Sequence, residues 1–419
     1  LDLSISITGC TLEQARPSLE SMARLMAEVG VQTEFLVLGE TDSVGDAGTV
    51  GEFPVRHVPL TDYHYGTVLR AARDACRGKW LITLETPSSN DVSLVYGFWH
   101  RRHEAQLLLA SRYAHGGSTR MPFLRRVASR FLNWTYRKGL SVHVRDLSSA
   151  RRMYATGLLR KIDIEGADFE VLMEVLLKFM ANGGHVMEVP WHFESRDYRH
   201  IPGTLSRQLF SCLGTFRKMH RLRNGVGFVD YDYRAYDSRI WFQRYWQRTR
   251  FKIIREFEGD PGFALDAGCG TSRIITTRPE MIAMDLNLNR LRFLSKTNPR
   301  RLQATAGELP FADDAFDTVI SSQVIEHTPE KTCLTESVRV LKEGGTLILG
   351  TPDYESLWPY IETVYGWVKP SGYAEEHITH YTLKSLIAAI EEENCEVLDY
   401  KYICYGELII RARKLPAKA

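Results

Sequence analysis

The stretch Phe263-Ala-Leu-Asp266-Ala-Gly268-Cys-Gly270-Thr-Ser-Arg273 constrains this chain more than any other. Three apolar residues read as the end of a buried parallel strand. An acid follows at once, then two glycines spaced for a tight turn. Glycines there let backbone approach a ligand at the carboxyl edge of a doubly wound sheet. A dinucleotide loop has a third glycine and no acid beside the pyrophosphate. Here Asp266 precedes the glycines and Arg273 stands at the third position. A carboxylate at that point repels pyrophosphate and suits a cationic amino acid, which favours S-adenosylmethionine over NAD. Met281-Ile-Ala-Met-Asp285 reads as a second strand, ending in an acid 19 residues after Asp266. That is near the spacing at which an acid accepts both ribose hydroxyls.

Further strands are expected over 316–321 and 345–350, a helix over 383–393, and two antiparallel terminal strands over 396–412. Leu265-Asp266-x-Gly-x-Gly, Leu309-Pro310-Phe311, Val324-Ile-Glu-His327 and Leu341-Lys-Glu-Gly-Gly345 follow in order. With them, the segment 263–412 resembles class I S-adenosylmethionine-dependent methyltransferases. The resemblance implies a Rossmann-like fold and S-adenosylmethionine as cofactor, held by Asp266, Gly268, Gly270, Asp285, Leu286, Ala306 and Gly307. Two positions depart from the pattern: Ser272 replaces a glycine, and Thr305 replaces the usual adenine-facing Asp. Methyl transfer to a hydroxyl needs alignment and a proton acceptor, and histidine titrates nearest neutral pH. The candidate catalytic bases are His377, His380 and His327. The resemblance points at His327, whereas position before the helix, where an acceptor lid forms, puts His377 and His380 first. Two histidines at that spacing also suit a metal ion, but no third ligand is legible.

The N-terminal part alternates strand and helix patterns. Strands are expected at 3–8, 32–38, 55–58 and 79–84, with a helix over 67–76, which predicts a second α/β domain with a parallel sheet. Beyond it come Ser111-Arg112-Tyr113-x-x-Gly-Gly, Arg125-Arg126-x-x-Ser-Arg-x-x-Asn133, Asp146-Leu-Ser-Ser-Ala-Arg-Arg152-Met-Tyr154 and Glu188-Val-Pro-x-x-Phe-x-x-Arg196. This series resembles family-two glycosyltransferases of the dolichol-phosphate mannose synthase type over about 1–200. The resemblance implies a GT-A-like nucleotide-diphospho-sugar transferase fold, with Arg112, Arg126 and Arg196 at the phosphate of a polyprenyl-linked acceptor. Guanidinium forks suit phosphate oxygens. The donor side departs from the family. Glu85-Thr86-Pro87 stands at the metal-binding Asp-x-Asp, leaving Glu85 alone for magnesium or manganese, while Glu40 and Asp42 remain for the nucleotide. Two functions follow: a fully bifunctional enzyme, or an acceptor-binding module that serves a methyltransferase.

Residues 204–223 read as a basic amphipathic helix, suited either to an anionic membrane interface or to packing on its own domain. The aromatic-rich run from Tyr231 to Phe251 reads as a leading helix that caps the methyltransferase pocket with its aromatics turned inward. The expected organisation is therefore 1–203, a linker of helices over 204–250, and 251–419. With 53 basic and 51 acidic residues, the balance argues against a dedicated nucleic-acid binder. Seven scattered cysteines without a Cys-x-x-Cys pair suggest a reducing compartment. The expected partner is a sugar or a polyprenyl-phosphate-linked glycan, met in the cytoplasm or at the inner face of the membrane.

Overall fold

A computed structural model describes residues 1–39, 45–87, 89–194, 205–225, 227–329, 331–368 and 377–416. The chain divides into two compact units, Leu1–Phe228 and Val229–Ala419.

The first unit carries a sheet of β1 (Leu3–Thr8), β2 (Thr33–Gly39), β3 (Gly45–Val50), β4 (Phe53–Pro59), β5 (Trp80–Glu85), β6 (Leu107–Ser111), β8 (Arg152–Ala155) and β9 (Val186–Pro190). Its order is β3-β4-β2-β1-β5-β8-β6-β9. A short pair, β7 (Ser118–Arg120) with β10 (His192–Glu194), stands apart. The expected parallel core is present as β4-β2-β1-β5. It is not the whole sheet: β8 runs antiparallel to both β5 and β6. Alternation along β5 sends Leu81 to one core and Ile82 and Leu84 to the other, so both faces are covered. Arg152 on β8 is fully buried, and its guanidinium donates to the carbonyls of Ser149, Leu172 and Leu147, at 2.7 Å each.

The second unit is built on β11 (Ala264–Ala267), β12 (Ile282–Asp285), β13 (Arg301–Gln303), β14 (Phe316–Ser322), β15 (Leu341–Pro352), β16 (Cys395–Ile403) and β17 (Glu407–Lys414). Their order is β13-β12-β11-β14-β15-β17-β16, parallel except for β17, which runs antiparallel to both neighbours. The chain leaves β11 for β12 on one side and reaches β14 on the other, so the sheet is Rossmann-like with a switch point at β11. Leu347 and Leu349 enter one core and Ile348 the other, the period of a strand buried on both faces.

The expected linker 204–250 is divided between the units. Helix Leu205–Asn224 ends in the first: Met219 is buried, Phe216 stacks on Tyr136, and buried Arg223 donates to the carbonyls of Leu140 and Ser141. Helix Trp241–Glu258 belongs to the second. Its aromatics do not all turn inward as expected. Trp246 is buried, whereas Trp241, Phe242 and Tyr245 are exposed. Arg250 on this helix donates both arms of its fork to fully buried Glu407, at 2.6 Å each, and Trp246 Nε1 donates to the same carboxylate. Removing one partner of such a pair strands a buried charge. Arg250→Leu should destabilise the second unit by about 3–5 kcal/mol. Urea denaturation followed by tryptophan fluorescence measures it, and an unchanged midpoint would contradict the assigned role.

Candidate cofactor and acceptor site

The carboxyl edge of the second sheet gathers the residues singled out in the sequence. After β11 the chain turns through Gly268 and Gly270, with φ of 79° and 54°. The N–H groups of Gly268 and Cys269 both donate to the Met284 carbonyl, and that of Gly270 to Asp285 Oδ2 at 2.9 Å. A Cβ on Gly268 would stand 2.3 Å from Val324, so glycine is required both by conformation and by space. Asp285 also accepts from Asn287 N and pairs with Arg290 at 3.6 Å. Each of its oxygens keeps a lone pair for a further donor. Asp266 is buried, and its Oδ2 has no hydrogen-bond partner. Burial, then the neighbouring charges of Asp285 and Glu258, push its pKa up to about 8. Leu286 is exposed beside this loop, Ala306 is buried, and Gly307 N donates to Thr305 Oγ1.

The segment leading into the unit, ahead of helix Trp241–Glu258, contacts this loop. Thr271 Oγ1 donates to the Val229 carbonyl. Arg273, at the position of the absent third glycine, pairs with Asp237 at 2.6 Å and stacks over Tyr233, 3.9 Å from the ring centre.

At the end of β14, the turn Ile325–His327 holds Glu326 fully buried. The Glu326 carbonyl accepts from Ile378 N and Thr379 N at 2.8 and 3.0 Å, which docks the 377–380 segment onto that turn. The rings of His327 and His377 come within 5.0 Å, centre to centre. Tyr354 Oη is 2.6 Å from His377 Nδ1, and His380 stacks on Tyr354 at 3.9 Å. All three candidate histidines thus belong to one cluster with Tyr354, but in different settings: His377 is buried and His380 exposed. Burial, with the nearby His327 and His380, pushes the pKa of His377 down to about 4.

Residues 265–349 match a family model described as a methyltransferase domain. The second unit carries a methyltransferase domain. An uncharacterized protein of Methanocaldococcus jannaschii is 34% identical over 108 residues, 25% of this chain and 48% of that protein. An uncharacterized methyltransferase of Mycobacteroides abscessus is 29% identical over 144 residues, 34% of this chain and 51% of that protein. The chain therefore spans about half the length of these curated relatives. The crystal structure of an S-adenosylmethionine-dependent methyltransferase of Thermotoga maritima aligns with a TM-score of 0.37 and 20% identity, over 43% of this chain and 96% of that one.

Of the residues expected at a glycosyltransferase site, Arg112, Arg126 and Glu85 lie among the described residues. Arg112 does not offer a free fork to phosphate. It is spent on buried Asp146, at 2.6 and 2.7 Å, and on Ser148 Oγ. Arg126 lies on helix Phe123–Gly139 over the Phe123 ring. Glu85 ends β5, where burial raises its pKa. Among the described residues it joins no group of three metal-binding side chains. Arg196, Glu40 and Asp42 lie outside the described residues. The sequence reading missed two features: Glu326 as a member of the histidine pocket, and the exposed face of helix Phe123–Gly139. Glu326 stood in the quoted Val-Ile-Glu-His motif, beside a histidine singled out for chemistry.

The raised pKa of Asp266 has a thermodynamic consequence. An unperturbed Asp titrates near about 3.9, so between that value and about 8 the folded chain keeps a proton that the unfolded chain has lost. The contribution to stability is whole below about pH 4 and is lost as pH rises through about 8. Asp266→Asn, neutral throughout, should show a smaller fall in denaturation midpoint between pH 5 and pH 8 than the parent. Equal falls in the two proteins would contradict this.

Proposed function

We propose that this protein uses S-adenosylmethionine to methylate an oxygen acceptor, a sugar or lipid-linked glycan hydroxyl. The buried Asp266 carboxyl at the glycine turn, whose Oδ2 has no hydrogen-bond partner, carries the cofactor reading. A buried carboxyl without a donor is costly, and a cationic ligand answers that cost better than a pyrophosphate. Asp285 would accept the ribose hydroxyls, Gly268 and Gly270 would let backbone approach, Leu286 would offer an apolar surface, and Ala306 and Gly307 would line the adenine end. When bound, S-adenosylmethionine supplies an electrophilic methyl group. The pocket of Glu326, His327, Tyr354, His377 and His380 combines polar groups with ring faces, the chemistry that suits a sugar's hydroxyls and its apolar face. Calorimetric titration with S-adenosylhomocysteine tests the cofactor half. Asp285→Ala should cost about 1–3 kcal/mol of affinity, since it removes the acceptor for the ribose hydroxyls. Gly268→Ala should abolish binding. Tighter binding of NAD than of S-adenosylhomocysteine would overturn the assignment.

We read the first unit as a GT-A-like module that binds the acceptor and transfers no sugar. A parallel β4-β2-β1-β5 core with an acid ending β5 supports the fold half of this reading. That Glu85 joins no group of three metal-binding side chains among the described residues supports the loss of donor chemistry. Peripheral contact with an anionic membrane belongs in this reading to helix Phe123–Gly139 rather than to 205–224. Phe123, Leu124, Phe131 and Trp134 are 67, 80, 66 and 53% exposed, and Val127 adds to the stripe. Five basic residues and no acid share that helix. Apolar and basic side chains together are what a headgroup interface recognises. No helix among the described residues is long and apolar enough to cross a membrane. Flotation with phosphatidylserine vesicles should fall sharply in a Phe131→Glu, Trp134→Glu double variant and with rising salt. Equal flotation of parent and variant would overturn the assignment to this helix.

A further inference from the structure

Glu326 is fully buried, and neither carboxylate oxygen makes a hydrogen bond of ordinary geometry, with only the Thr351 hydroxyl and its own backbone amide near enough to act on it. Native proteins rarely leave such a group orphaned, and a missing ion is one of the few explanations. A carboxylate oxygen of Glu326 and one ring nitrogen from each of His327 and His377 all lie within 4.8 Å of one another. Among the described residues this is the one group of three with that property.

We propose that Glu326, His327 and His377 bind a zinc-class divalent cation at the acceptor end of the methyltransferase domain, where it would take an oxygen of the acceptor as a further ligand. The donor set is two imidazoles and one carboxylate, which suits zinc and its first-row neighbours over magnesium or calcium. Three protein ligands leave a coordination position open, the arrangement of catalytic rather than structural sites. The surroundings fit as well. A metal-binding histidine normally gives its second ring nitrogen to a fixed partner, which sets tautomer and orientation. Tyr354 Oη sits 2.6 Å from His377 Nδ1, and Glu362 Oε1, itself buried and without a hydrogen bond, lies 3.5 Å from the same atom. In the tautomer whose Nδ1–H donates to Tyr354 Oη or Glu362, Nε2 of His377 carries the lone pair for a metal. The ligands come from two segments, and both are held: Ile378 N and Thr379 N donate to the Glu326 carbonyl, and Thr379 Oγ1 donates to the Thr328 carbonyl at 2.9 Å. The full burial of the Glu326 carboxylate is offset when a cation sits against it. His380 is left out of the ligand set, because its ring stacks on Tyr354.

The role at the acceptor rests on the methyltransferase reading, but the site itself can be tested apart from activity. Tag-free full-length protein, stripped with chelator and desalted, is titrated with zinc chloride by calorimetry and with cobalt(II) by visible absorption. One equivalent is expected, with a cobalt spectrum of low coordination number. Glu326→Gln, His327→Ala and His377→Ala should each weaken zinc by roughly 100-fold or more, since even outer partners are worth about 10- to 100-fold. Tyr354→Phe should weaken it by about 10-fold, and His380→Ala should leave it unchanged. S-adenosylhomocysteine should still bind the stripped protein, which separates failure of the metal site from failure of the cofactor reading. The isosteric Glu326→Gln guards against loss of folding, and thermal melts of every variant check it. No zinc binding by the parent, or equal affinity in parent and all three ligand variants, would overturn the proposal.

Discussion

Two carboxylates at the ends of adjacent strands govern the second unit. Asp266 stands one residue before the end of β11 and Asp285 ends β12, both buried, and the charge of Asp285 raises the cost of ionising Asp266. Asp285 is held by backbone N–H groups and an arginine, whereas Asp266 keeps an oxygen with no donor at all. A chain gains nothing in stability from that arrangement. It is the form a binding site takes when the missing partner is a cation that arrives with the ligand. The glycine turn, the Val324 contact and the overlying 229–237 segment all keep this edge closely packed, so the electrostatics act at low dielectric.

The same logic recurs at the other end of the pocket. Glu326 is an orphaned buried acid as well, but imidazoles surround it rather than backbone amides. Neutral imidazoles beside a carboxylate make a ligand set for a metal, whereas paired acids beside a glycine turn make a site for an organic cation. One sheet edge thus presents two distinct electrostatic demands, joined through the short path from Val324, against Gly268, to Glu326 and His327.

Much of this was legible in the sequence because it is local. An apolar run, an acid and two glycines specify strand, turn and charge within eleven residues of chain. The terminal antiparallel strands and the helix Leu383–Glu392 were likewise readable from periodicity. What escaped is non-local. Nothing in Arg112 announces that Asp146 will take its fork. Nor does alternation reveal that β8 inserts antiparallel between β5 and β6. Two basic helices, Phe123–Gly139 and Leu205–Asn224, carry apolar residues, and only the second was legible as a helix. Phe216, Met219 and Arg223 find partners in the first unit, while Phe131 and Trp134 keep an exposed face, and only tertiary packing tells them apart. Glu326 was in plain view beside His327, but its ligand role depends on His377, fifty residues later.

The claim on which the rest turns is that the Asp266–Asp285 edge is the ligand site of the methyltransferase domain. Hydrogen–deuterium exchange with and without S-adenosylhomocysteine tests it most directly, because amide protection reports location as well as binding. The account predicts new protection in peptides covering 264–273 and 282–288, with the first unit unchanged. Binding without protection there, or protection confined to residues before 229, would contradict it.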